Sequence, residues 1–177
     1  MEVEVIVAFV LAFSSEVGRA LIDYSESLQA RSDVTLGLGA LPHATLVQVE
    51  CDEAEALSAW NELGSLPRPL SVTASFAGLC LLPASTGECW VEIPILGGRD
   101  LFDLQESILG LPSLAGKKVY NGTGVNFRPH VTVALYRDAS DVPAPLPLPS
   151  DLLRAGVTGT VSLGLTGENY SFTDVWR

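Results

Sequence analysis

The sequence predicts an α+β fold: two pseudo-symmetric halves, with largely antiparallel sheets lining a central cleft and helices on the outer faces. Three observations carry that reading. Segments with strand or helix periodicity follow in the order strand, helix, strand, helix, hairpin, helix, strand, hairpin. Each helical segment has one apolar stripe and so needs one sheet face to cover. A short pattern, Pro-His-apolar-Thr-apolar, occurs twice, as Pro42-His43-Ala44-Thr45-Leu46 and Pro129-His130-Val131-Thr132-Val133. The two histidines are 87 residues apart (130 − 43), about half of the 177-residue chain.

The first strand spans Val3 to Phe13. Its apolar run, Val5 to Phe13, is too short to cross a bilayer and reads as buried. Ser14 or Ser15 offers an N-cap for a helix over Glu16 to Gln29, with Val17, Ala20, Leu21, Tyr24 and Leu28 at helical spacing. The loop Gly37-Leu38-Gly39-Ala40 leads to a strand over Leu41 to Val49. A helix over Glu53 to Leu63 turns Ala56, Leu57 and Trp60 inward. Leu70 to Leu82 and Glu88 to Leu96 read as an antiparallel hairpin around Ala84-Ser85-Thr86-Gly87. The third helix, Asp100 to Leu111, aligns Leu101, Leu104, Ile108 and Leu111. A loop over Gly116 to Asn126 precedes a strand from Pro129 to Tyr136. Pro143, Pro145, Pro147 and Pro149 make Val142 to Ser150 an extended surface connector. Strands over Thr158 to Leu165 and Tyr170 to Trp176 close the chain.

Composition narrows the function classes. Hydrophobic residues are 47% and charged residues 18%, which excludes general disorder. A chain of this length buries roughly 70% of its unfolded surface, enough for one two-lobed domain over residues 1–177 with no metal or disulfide staple. Ten Lys and Arg against 21 Asp and Glu give a net charge of −11. That balance argues against neutralising a long nucleic-acid backbone, yet leaves room for a local pocket for a small anion. Cys51, Cys80 and Cys89 cannot all pair within the chain, so free thiols in a reducing, cytoplasmic setting are expected. Glu2 and Glu4 carry the wrong charge for a signal-peptide start, and no membrane partner is implied. There is no Gly-Lys-Ser/Thr loop and no Gly-x-Gly-x-x-Gly after a strand; Gly37-Leu38-Gly39 reads as a turn. No cofactor is expected. Asn121-Gly122-Thr123 reads as a glycine-containing loop rather than a modified sequon, and a monomer is expected.

The repeated pattern carries the chemistry. On a strand, side chains at i and i+2 share a face, so His43 projects with Thr45 and His130 with Thr132. Ala44 and Val131 point the other way, into a core. Proline is tolerated at a strand entrance, where its missing N–H falls at the end of the ladder. If the two strands are neighbours, one cleft holds two imidazoles and two hydroxyls. Histidine's unperturbed pKa lets one ring accept a proton while another donates one near neutral pH. Threonine hydroxyls can donate to non-bridging phosphate oxygens. Two His and two Thr offer too few good ligands for zinc, so no metal site is expected.

These two His-x-Thr-x motifs, their half-chain spacing and the strand-helix-strand order resemble the two-histidine (2H) phosphoesterase superfamily, the 2′-5′ RNA ligase-like proteins and cyclic phosphodiesterases. The resemblance runs over roughly Val3 to Trp176 and includes Glu168-Asn169-Tyr170-Ser171-Phe172, which is similar to the family's last turn and strand. It implies a bilobal fold and metal-free hydrolysis or formation of 2′,5′ or 2′,3′-cyclic phosphodiester bonds. It also implies catalytic roles for His43 and His130 and phosphate binding by Thr45 and Thr132.

The sequence departs from the family in its basic residues. RNA ligase-like members often carry an arginine soon after the second motif. Here the nearest, Arg137, lies seven residues after His130, on the opposite face unless a bulge intervenes. Tyr136, at offset six, is expected on the His130 face, and Arg128 has matching parity; both are candidate substrate contacts. Lys117 and Lys118 read as solvated, and Phe9, Phe13 and Trp90 as core. The expected function is hydrolysis of 2′,3′-cyclic phosphate ends or small cyclic or 2′-5′-linked oligonucleotides by general acid–base catalysis. The rivals are a non-catalytic nucleotide or RNA-end binding protein and a 2′-5′ RNA ligase. The expected partner is a small nucleotide or RNA end, not a long nucleic acid.

Overall fold

The computed structural model describes residues 5–28, 34–143, 147–153, 156–167 and 171–177. The expected order of elements is present: β1 (Val5–Phe13), α1 (Ser15–Ser27), β2 (His43–Cys51), α2 (Glu53–Gly64), β3 (Ser71–Phe76), β4 (Cys80–Pro83), β5 (Cys89–Leu96), α3 (Gly98–Leu109), β6 (His130–Tyr136), β7 (Val157–Thr166) and β8 (Phe172–Val175). The fold is α+β, and every pairing between these strands is antiparallel.

One half is organised on β1, which pairs with β2 on one edge and β7 on the other; β8 extends β7. The other half is organised on β5, which pairs with β6 and with β4. β3 joins them, pairing with β7 through Ser71–Ala74 and with β5 through Ser75 and Phe76. The motif strands β2 and β6 thus hold equivalent positions beside β1 and β5, and they pack against each other without a shared ladder. The helices cross over: α1 packs on β6, from the other half of the chain, and α3 on β2.

The strand from Leu70 to Leu82 expected from the sequence is two strands. Gly78 has a φ of 101°, a left-handed conformation that favours glycine, and it lies in the break between β3 and β4. The hairpin around residues 84–87 is therefore β4–β5 only, while β3 leaves to bridge the halves. Cys89 faces Pro83 and Cys80 faces Glu92, so the register separates these two thiols. None of the three cysteines forms a disulfide. α2 starts with a capping box: the Asp52 carboxylate accepts from the Glu55 N–H at 2.8 Å, and Glu55 accepts from the Asp52 N–H at 3.1 Å. Ser14 is the N-cap of α1, without a side-chain hydrogen bond. Parts of the first strand, first helix, proline connector and Glu168–Tyr170 turn fall outside the described residues. No described helix is long and apolar enough to cross a membrane.

Candidate active site

Each motif strand begins at its histidine and carries a β-bulge just after its threonine. In β2, Val10 faces Thr45 but Phe9 faces Val47, which leaves Leu46 as the extra residue. In β6, Glu92 faces Thr132 but Val91 faces Ala134, which leaves Val133 extra. Leu46 and Val133 both stand three residues after their histidine, so the repeat extends from sequence into backbone geometry. A bulge leaves a carbonyl out of the ladder, and a buried carbonyl needs a donor. Each helix that crosses over supplies one. Gln105 of α3 donates Nε2 to the Leu46 carbonyl at 2.8 Å, and Ser25 of α1 donates Oγ to the Val133 carbonyl at 2.6 Å. Both side chains are fully buried.

The bulge also changes which residues face the cleft. It inserts one residue, so alternation inverts beyond it. Gln48, at offset five from His43, lines the cleft, while Val49 at offset six is in the core. The equivalent inversion in β6 corrects the expectation for Tyr136. Its ring is buried on the helix side, and its hydroxyl donates to the Leu28 carbonyl at 2.6 Å, at the end of α1. Tyr136 does not line the cleft. Arg137 lies past the strand end, exposed and outside the cleft.

The cleft has a volume of about 340 Å³, within the range of small-ligand sites. His43, Thr45, Arg128, His130 and Thr132 all line it. The two rings are held in the same way. His43 Nδ1 lies 2.7 Å from the Leu41 carbonyl, and His130 Nδ1 lies 2.7 Å from the Arg128 carbonyl. Each Nδ1–H donates to the residue two before it, so Nε2 is left as the working atom of each ring. Among the described residues, neither threonine hydroxyl has a hydrogen-bond partner.

The surroundings of the two rings differ. His43 is buried and packs on Phe172 of β8, with ring centroids 5.5 Å apart. Phe172 forms a small apolar cluster with Ala8 and Val10 of β1. Burial lowers the pKa of His43 to about 4, against the smaller opposing effect of the Leu41 hydrogen bond; His130 across the cleft lowers it further. His130 is more accessible, and Glu92 lies beside it: Nε2 is 3.2 Å from Glu92 Oε1. Arg128 Nη2 reaches Glu92 Oε2 at 3.2 Å. Glu92 is 5% exposed, and burial raises its pKa, opposed by the charges of His130 and Arg128.

Sequence reasoning missed Glu92, Trp90, Leu82, Gln48 and Asn121 in the cleft wall. Glu92 and Trp90 are two apart on β5, so they share a face. The available signal was an acidic residue inside the apolar run Val91 to Leu96. Asn121 continues the pairing that residues 118–120 make along the outer edge of β2: its Oδ1 accepts from the Gln48 N–H at 2.7 Å, and its Nδ2 donates to the Leu46 carbonyl at 2.9 Å. Lys117 and Lys118 stay outside the cleft. Lys117 pairs with Glu55 at 2.6 Å, and Lys118 lies near Glu50 and Tyr120. Phe9 is fully buried, and Phe13 packs edge-on against Phe76.

No protein-family model and no curated protein sequence matches this chain. Solved structures do match in fold. Escherichia coli LigT complexed with phosphate is 16% identical, with a TM-score of 0.62 over 99% of this chain and 94% of that one. E. coli LigT complexed with 3′-AMP is 16% identical, with a TM-score of 0.63 over 98% of each chain. A crystal structure described as a phosphoesterase is 16% identical, with a TM-score of 0.61 over 98% of each. The fold is that of these proteins over nearly its whole length, as the motif resemblance implies.

Proposed function

We propose that this protein is a two-histidine phosphodiesterase that hydrolyses 2′,3′-cyclic phosphate ends or small cyclic or 2′-5′-linked oligonucleotides without a metal. The observation that carries the reading is the matched pair of rings: two Nδ1 atoms tied to the carbonyl two residues back, in one cleft lined by the two motif threonines. A phosphodiester in this cleft meets a base for water, an acid for the leaving oxygen and donors for the non-bridging oxygens. The cleft suits one nucleotide or an RNA end rather than a duplex. Its cation, Arg128, is paired with Glu92, and the net charge of −11 disfavours a long polyanion. That two solved structures of the same fold hold phosphate and 3′-AMP supports the ligand class.

In hydrolysis, one ring takes a proton from water as its oxygen bonds to phosphorus. The other gives a proton to the leaving oxygen as its bond to phosphorus breaks. The sum is water added across one P–O bond. The thin basic lining also fits a protein that binds a nucleotide without turning it over. The test is a panel of 2′,3′-cyclic mononucleotides and 2′-5′-linked dinucleotides, incubated in chelator with wild type, His43→Ala and His130→Ala. Turnover by wild type that falls about 10²–10⁴-fold in each variant is expected. Full activity in either variant refutes the mechanism. Tight nucleotide binding with no turnover supports the binding reading, and joined RNA halves would support a ligase.

A further inference from the structure

We propose that Glu92 is a positioning residue that breaks the symmetry of the cleft, holding a proton on His130 so that His130 is the general acid and His43 the general base. The inference rests on the phosphodiesterase reading for its chemistry, but its structural basis is independent of substrate.

Val10 faces Thr45 in one half, and Glu92 faces Thr132 in the other. These are the same position in two equivalent strands, so Glu92 puts a buried carboxylate where the fold's other copy has a methyl-bearing side chain. Next come the ring nitrogens of His130. Nδ1 lies 2.7 Å from a carbonyl that can only accept, and Nε2 lies 3.2 Å from a carboxylate oxygen. A neutral ring has one N–H and cannot donate to both. The arrangement is satisfied by an imidazolium beside a carboxylate, or by a neutral ring accepting from a protonated Glu92. Either way one proton lies between Nε2 and Glu92. Among the described residues, no carboxylate lies beside His43. Its Nδ1–H is satisfied by Leu41 and its ring packs on Phe172, so its Nε2 keeps a lone pair.

The charged or titratable groups that face His130 are Glu92 from β5, Arg128 from the approach to β6 and His43 across the cleft. Arg128 and His43 oppose a positive ring; Glu92 favours it. Arg128 Nη2 also holds the carboxylate, 3.2 Å from Oε2 and 3.4 Å from Oε1. In the reaction, His43 Nε2 accepts the proton of the attacking water. His130 Nε2 releases its proton to the leaving oxygen as the P–O bond breaks. Exchange with water then returns both rings to their starting states.

The test compares wild type with Glu92→Gln and Glu92→Asp. Glutamine keeps the shape, but its amide can donate to a bare Nε2 and so favours the neutral ring. In the pH–rate profile for 2′,3′-cyclic AMP, Glu92→Gln is expected to move the alkaline limb to lower pH by about one unit, with the acid limb unmoved. Glu92→Asp is expected to restore part of that shift. Superimposable profiles, or movement of the acid limb instead, overturn the proposal. A second readout needs no turnover. The chain has only two histidines, so their ring Cε1–H signals can be followed by NMR in the unliganded protein. Followed across pH, the His130 signal is expected to leave its imidazolium position at lower pH in Glu92→Gln than in wild type, with the His43 signal alike in both. Identical behaviour of both rings in wild type and variant overturns the proposal. If wild type hydrolyses no cyclic phosphate, the functional reading fails, and the ring signals alone decide the role of Glu92.

Discussion

His43 and His130 each open a strand, each give Nδ1 to the carbonyl two residues back, and each precede a bulge by three residues. Around these shared features the halves diverge. The half built on β1 sets its ring against Phe172, beside Ala8 and Val10; the half built on β5 sets its ring against Glu92 and Arg128. The comparison separates what the duplicated scaffold supplies from what single residues supply. The scaffold supplies position and tautomer. The neighbour across the ladder supplies the proton balance. One fold can thus present two copies of a residue for opposite tasks.

The largest effect expected from this contrast is on stability. His43 is neutral in the folded protein down to about pH 4, whereas an unfolded histidine titrates near 6.5. Between those values the unfolded chain binds more protons, so stability falls as pH drops through that window. The full cost is about 3 kcal/mol. Denaturant unfolding of wild type and His43→Gln at about pH 7 and about pH 4.5 isolates it, and the variant should lose less stability on acidification. A parallel loss in both proteins would show that burial of this ring has no such consequence.

Smaller effects belong to the features the halves share. Gln105→Leu and Ser25→Ala each strip the donor from a bulge carbonyl, Leu46 in one half and Val133 in the other. Each is expected to cost about 1–3 kcal/mol by denaturant unfolding, because a buried acceptor is left unpaired. The Leu46 carbonyl keeps Asn121 as a second donor, so Gln105→Leu should sit at the lower end of that range. Each variant also gives up a second bond, Gln105 to the Gly122 carbonyl at 3.1 Å and the Leu36 N–H to Ser25 Oγ at 3.0 Å. A larger cost for Gln105→Leu than for Ser25→Ala would mean that Asn121 does not compensate. The smallest effect is expected at Tyr136→Phe. It removes one buried hydrogen bond, to Leu28, and should cost about 1 kcal/mol with turnover unchanged. A fall in turnover at constant stability would return Tyr136 to the site.

The legible and illegible parts of the sequence divide along the same line. The motif was readable because its logic is local: i and i+2 on a strand share a face whatever lies beside them. The fold class was readable from the order of apolar periods. What lay across the ladder was not. Glu92 becomes a neighbour of Thr132 only through the register of β5 on β6. Strict alternation puts Tyr136 on the His130 face, and a bulge that no residue type announces turns it to the other. The bulges did leave a trace in the helices. Gln105 sits among Leu101, Leu104 and Ile108, and Ser25 lies four residues after Leu21, polar residues within otherwise apolar stripes. A buried polar group needs a partner, and here the partners are the bulge carbonyls.

That the two halves act as one catalytic unit is tested most directly by turnover of 2′,3′-cyclic AMP in His43→Ala, His130→Ala and the double variant. Groups that serve one transition state lose their effects non-additively. The double variant is expected to be no slower than the slower single variant, within about threefold. Losses that multiply, so that the double variant is slower by the product of the two single effects, would show that the rings work independently and not as one unit.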